Sequence, residues 1–112
     1  MRRDISDYLQ DILDNINIAT AFLNGMSFED FEADQRTAYA VVRAIEIVGE
    51  AAKSIPIETR QQYPEIPWRS LTGMRDKMIH QYFGVQLRVV WDTVKLDFPS
   101  LKTTIETMLD EM

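Results

Sequence analysis

Residues 69–84 of this chain read Arg-Ser-Leu-Thr-Gly-Met-Arg-Asp-Lys-Met-Ile-His-Gln-Tyr-Phe-Gly and gather side chains that can hold a phosphate or move a proton. Arg75 brings a guanidinium, Asp76 a carboxylate, His80 the only imidazole of the chain, and Tyr82 a phenol. On a helix with about 3.6 residues per turn, Arg75 and Tyr82 share one face, while Asp76 and His80 share the neighbouring one. Arg75 stands where the periodicity Trp68, Leu71, Arg75, Met78, Tyr82 asks for an apolar residue. A charge in such a place is costly unless something pairs with it, and a break in pattern of this kind often marks a functional site. A structural reading stays open beside the functional one. In it Arg75 pairs with Glu46 or Glu50, His80 makes a charge-dipole contact near a helix C-terminus, and Tyr82 is a core aromatic. On an ideal helix Arg75 and His80 are about 140° apart, so shared chemistry between them needs local unwinding or a second chain.

The elements that must position these residues are all helical. Ile5, Leu9, Ile12, Ile16, Ala19 and Leu23 repeat at alternating spacings of four and three, which predicts a helix from about Asp4 to Leu23, stopped by Asn24-Gly25. Ser27 and Asp30 resemble a capping box and are expected to start a short turn into a long helix over about Ala33 to Ser54. Its apolar line is Ala38, Val41, Ile45, Val48 and Ala52; the opposite line is Arg36, Tyr39, Arg43, Glu46, Glu50 and Lys53, read as a solvated, ion-paired face. Pro56, Pro64 and Pro67 bracket a short helical piece around Ile57 to Gln62 and a rigid loop. The helix carrying Arg75 then starts near Trp68 and stops at Gly84. Leu87, Trp91, Val94, Phe98, Leu101, Ile105, Met108 and Met112 keep one phase across Pro99, which predicts a single helix kinked there. No β-alternation or internal repeat appears, so the expected fold is an all-α, up-and-down bundle of four main helices plus a short one, in one domain over residues 1–112.

Composition narrows the chemistry. The 112 residues suit one hydrophobic core, and the absence of cysteine excludes disulfides, thiolate metal sites and cysteine nucleophiles. The N-terminal stretch lacks a secretory apolar region and no uninterrupted apolar run approaches spanning length, so a cytoplasmic location is expected. The net charge of −6 argues against a broad basic surface for nucleic acid. The distribution is uneven, however. Residues 1–67 hold 6 basic and 12 acidic side chains and residues 92–112 hold 2 and 5, whereas residues 68–91 hold 4 basic and 1 acidic.

Arg75-x4-His80-x-Tyr82 resembles the RX4HXY motif of the HepT-like ribonuclease toxins, a family of the HEPN superfamily. Arg43 to Lys53, Tyr63 to Trp68, Arg69 to Val85 and Trp91-Asp-Thr-Val also resemble that family in order and spacing, and Asp76 matches its polar residue after the arginine. The resemblance implies a HEPN-like, homodimeric fold and a metal-independent endoribonuclease without cofactor, in which the motif helices of two protomers face each other across a cleft. Cleavage of RNA through its own 2′-hydroxyl needs one base and one acid, and one histidine per chain gives both when two His80 side chains meet at a two-fold axis. Arg75 would stabilise charge on the phosphoryl oxygens, Asp76 would orient His80, and Gly73 would permit close helix approach. Lys77, Arg69 and Arg88 are further candidates for RNA phosphate contacts. In the family the tyrosine of the motif is AMPylated by a partner minimal nucleotidyltransferase, the antitoxin of a type VII pair, which points to Tyr82. Two other readings are a non-catalytic helical module that docks such a nucleotidyltransferase, and a structural homodimer that uses the Arg36 to Lys53 line as its interface.

Overall fold

The computed structural model describes residues 3–73 and 86–112, and among these every regular element is a helix. Helix α1 covers Ile5–Leu23 and begins at a reciprocal capping box: Asp7 N–H donates to the Asp4 carboxylate at 3.1 Å, and Asp4 N–H to the Asp7 carboxylate at 3.0 Å. Its buried stripe is Leu9, Ile12, Ile16, Ala19 and Leu23, as the periodicity requires. The chain turns away at Asn24, and Gly25 takes φ +79°, a left-handed conformation that strains any residue with a Cβ.

The expected long helix is present as one element that starts at Gln35, two residues later than expected, and the expected short turn before it is a helix of its own. Ser27 and Asp30 form a full capping box, which starts α2, Phe28–Ala33; Asp34 then ends α2 and starts α3, Gln35–Lys53. Asp34 sits at φ −108° and ψ 91°, outside the helical region, and accepts from Thr37 N–H at 3.1 Å and from Thr37 Oγ1 at 2.8 Å. A short acidic side chain that satisfies the first free N–H groups of the next helix competes with helix continuation, which is why the break falls there. Helix α3 buries Val41, Ile45, Val48 and Ala52, and also Val42, Ala44, Gly49 and Ala51, because it packs against α1 and is also touched by α2 and by the helix that begins at Leu87. The opposite line is solvated: Arg36, Tyr39, Arg43, Glu50 and Lys53 are exposed, and Arg43 pairs with Glu46 at 3.3 Å.

Helix α4, Ile57–Gln61, buries no residue and starts at Pro56. Helix α5 runs from 68 to the end of the first described stretch at 73. The expected stop at Gly84 lies outside the described residues. Helix α6, Leu87–Asp92, continues without a break through a π-helical turn, Thr93–Asp97, into α7, Phe98–Asp110. The anticipated single helix is therefore present, and its irregularity is a wide turn before Pro99. The proline ring would collide with the Lys95 carbonyl in a regular α-helix and has no N–H to give it. In the π turn Phe98 N–H bonds instead to the Thr93 carbonyl, five residues back. The phase survives, so Val94, Phe98, Leu101, Ile105 and Met108 all reach the core. The bundle thus has two short helices, α2 and α4, where one was expected. Among the described residues no helix is long and apolar enough to cross a membrane.

Candidate functional site

The loop between α4 and α5 determines how α5 begins. Arg60 folds back on the C-terminus of α3, with Nε donating to the Ile55 carbonyl at 2.8 Å and Nη2 to the Lys53 carbonyl at 2.9 Å. The Trp68 indole N–H then donates to the carbonyls of both Arg60 and Tyr63, each at 3.1 Å, while its ring is buried beside Ile66 and Leu71 in the core cluster. Trp68 is therefore a peg: its ring anchors the first turn of α5 and its polar edge ties down the preceding Pro-rich loop. Leu71 N–H bonds to the Pro67 carbonyl at 3.0 Å and closes that first turn. On the outer side, the Tyr63 hydroxyl donates to the Glu111 carboxylate near the end of α7. That bond, with the adjacent negative charge of Glu111, raises the Tyr63 pKa above its ordinary value.

Of the sequence-derived candidates, Arg69 and Arg88 fall among the described residues; Arg75, Asp76, Lys77, His80 and Tyr82 lie outside them. Arg69 is exposed on the first turn of α5. At Gly73, the expected point of close helix approach, a Cβ would meet nothing within 4 Å, so no neighbour among the described residues requires glycine there.

Arg88, on α6, has a defined seat. Its guanidinium carbon lies 4.8 Å from the centre of the Phe28 ring, and its Nε is 3.5 Å from the Asp92 carboxylate one turn on. Phe28 meets Trp91 edge-on at 5.9 Å, and Trp91 is tilted against the fully buried Phe31 at 5.7 Å. Lys95 Nζ stands 5.0 Å from the Trp91 ring centre and 3.5 Å from the Leu23 carbonyl, at the negative end of α1. The two cations therefore have different roles. Lys95, itself exposed, directs its Nζ to the end of α1, whereas the Arg88 side chain, 64% exposed, pairs with Asp92.

Sequence reasoning named Arg88 and missed what holds it: Phe28 and Asp92, with Trp91 packed behind Phe28. A signal was available, since Arg88, Trp91 and Lys95 stand three and four residues apart on one helical face and Phe28 and Phe31 share a face of α2. It also missed a cavity of about 530 Å³ between the start of α5 and the π turn, lined by Pro67, Ser70, Leu71, Thr93, Leu96 and Phe98 among others. Among the described residues no cluster of three or more His, Cys, Asp or Glu side chains could hold a metal ion.

Comparison with known proteins places these features in context. The family model described as Ribonuclease HepT-like matches residues 12–108. A relative from Thermococcus cleftensis named "Probable ribonuclease HepT" is 51% identical over 108 residues, covering 96% of this chain and 98% of that protein. A second, from Methanocaldococcus jannaschii and named "Putative RNase MJ1216", is 43% identical over 111 residues, covering 99% of this chain and 92% of that protein. No solved structure matches the chain at a significant level.

Proposed function

The chain belongs to the HepT-like ribonuclease family, and from that premise we propose that it is a metal-independent endoribonuclease toxin, active as a homodimer and silenced by a partner nucleotidyltransferase. The observation that carries this reading is the match over residues 12–108 combined with the pegged start of α5, which leads directly into Arg75-x4-His80-x-Tyr82.

In the proposed reaction the neutral His80 of one protomer takes the proton of an RNA 2′-hydroxyl. The O2′–P bond forms, the P–O5′ bond breaks, and the protonated partner's His80 gives its proton to the departing 5′ oxygen. The products are a 2′,3′-cyclic phosphate and a 5′-hydroxyl, and the two imidazoles end with their protonation states exchanged. Arg75 stabilises the charge that builds on the non-bridging oxygens, and Asp76, one turn from His80, orients its ring. Lys77, Arg69 and Arg88 contact flanking phosphates. Silencing follows when the Tyr82 phenol oxygen attacks the α-phosphorus of ATP in the partner's active site and pyrophosphate leaves. The added phosphate places negative charge where negative RNA must bind.

The test uses purified protein and a labelled RNA. His80→Ala and Arg75→Ala are each expected to abolish cleavage, and mixing the two is expected to restore a fraction of it through a shared site. Undiminished cleavage by His80→Ala refutes the mechanism. Absence of AMP addition at Tyr82 when the partner nucleotidyltransferase and ATP are supplied refutes the silencing step.

A further inference from the structure

We propose that Arg88, braced on Phe28, forms a stacking subsite for an unpaired nucleobase of the RNA; this rests on the ribonuclease reading above. Phe28 lies 4.8 Å from the guanidinium and can cover only one face of that planar group, and the side chain remains 64% exposed. A guanidinium plane is a stacking surface for bases, and one already held over a ring loses less conformational freedom when a base arrives than a free side chain would. The brace is itself fixed, because Phe28 is the first residue of α2, packs edge-on against Trp91, and Trp91 leans on the buried Phe31. Asp92 does not remove Arg88 from use. The side chains of the pair are 64% and 45% exposed and 3.5 Å apart, and an ion pair in that setting is weak enough for a phosphate to compete with it. The neighbouring cation, Lys95, is exposed too, but its Nζ is directed at the Leu23 carbonyl and it has no plane; of the two, only Arg88 offers a planar group on which a base can stack.

Position along the chain links the subsite to the chemistry. Arg88 follows His80 by eight residues, so the two Cα atoms are at most about 28 Å apart, the span of roughly eight stacked nucleotides. An RNA that extends beyond the scissile bond by up to that length can therefore reach Arg88 while it is held at His80. Phe28 is a positioning residue in this arrangement and Arg88 the group that touches RNA.

The experiment compares steady-state cleavage of a dinucleotide with that of an unpaired RNA of about 12 nucleotides, long enough to cross the whole span. Arg88→Ala is expected to raise KM for the longer RNA about tenfold with little change in kcat, and to raise it less for the dinucleotide, which has fewer bases to stack. Arg88→Lys, which keeps the charge and loses the plane, falls between. Phe28→Leu keeps apolar volume but loses the ring and moves KM in the same direction, whereas Phe28→Tyr restores it; melting temperatures confirm that all variants fold. An unchanged KM for Arg88→Ala on the longer RNA, or an equal rise on the dinucleotide, overturns the subsite while wild-type cleavage leaves the ribonuclease reading standing. A wild-type protein that cleaves neither RNA overturns both.

Discussion

Replacing Trp68 by phenylalanine isolates the polar half of the peg at the start of α5. The site keeps an aromatic ring, smaller by three heavy atoms, but the N–H that joins the Arg60 and Tyr63 carbonyls, 3.1 Å from each, is gone. Losing one shared donor and leaving two part-buried carbonyls to find other partners costs about 2 kcal/mol. For 112 residues, an unfolding entropy near 0.24 kcal/mol/K converts this into a fall in melting temperature of about 8 °C. Circular dichroism melts of Trp68→Phe and wild type at equal protomer concentration read the difference directly, and equal concentration matters because association stabilises the folded chain. Trp68→Ala, which also empties a site that is 9% exposed, should lose about 3–5 kcal/mol. If Trp68→Phe melts within about 1 °C of wild type, the indole bonds do not restrain the loop and the peg is apolar packing alone. RNA cleavage should fall in Trp68→Phe at temperatures where it remains folded, because the peg sets the direction in which α5 presents the residues after it.

Two further outcomes follow from the caps and turns. Gly25→Ala should destabilise by about 1 kcal/mol in denaturant titrations, from backbone strain alone, since φ is +79° and no atom lies within 4 Å of the new Cβ. Acid should unfold the protein partly through its caps: hydrogen bonds from Ser6 and the Asp7 N–H lower the Asp4 pKa below 3.8, and those from Thr37 N–H and Oγ1 lower that of Asp34. A carboxylate with a depressed folded pKa adds stability that is fully present above its unfolded value and lost as pH falls through the folded one. Melting temperature should therefore drop as pH falls below about 4, and Asp34→Ser, a cap with no charge to lose, should drop less steeply. Parallel curves for the two proteins would show that Asp34 does not contribute through its charge.

Much of the scaffold was legible in the sequence because helical burial repeats at short range. The stripe Leu9, Ile12, Ile16, Ala19, Leu23 is buried as spaced, and the phase from Val94 to Met108 holds across Pro99. The break at Asp34 was not legible in the same way, since it depends on a competition between helix continuation and a local cap, decided by Thr37 three residues on. Nor was the form of the irregularity before Pro99, because a kink and a π turn answer the same missing N–H and differ only in how the neighbouring helices must be packed.

The candidate site divides along the same line. By itself the sequence determined the family, through Arg75-x4-His80-x-Tyr82 and the segments around it, and the segmental charge that sets residues 68–91 apart from an acidic chain. Those are properties of residue identity and spacing, which a one-dimensional pattern carries in full. Only the tertiary structure decided that Arg88 rests on Phe28, sixty residues earlier, that Lys95 closes the end of α1, and that Trp68 is held by Arg60 and Tyr63. These are contacts between elements remote in sequence or across a turn, and their partners are selected by the packing of α1, α2 and α6 around a common core.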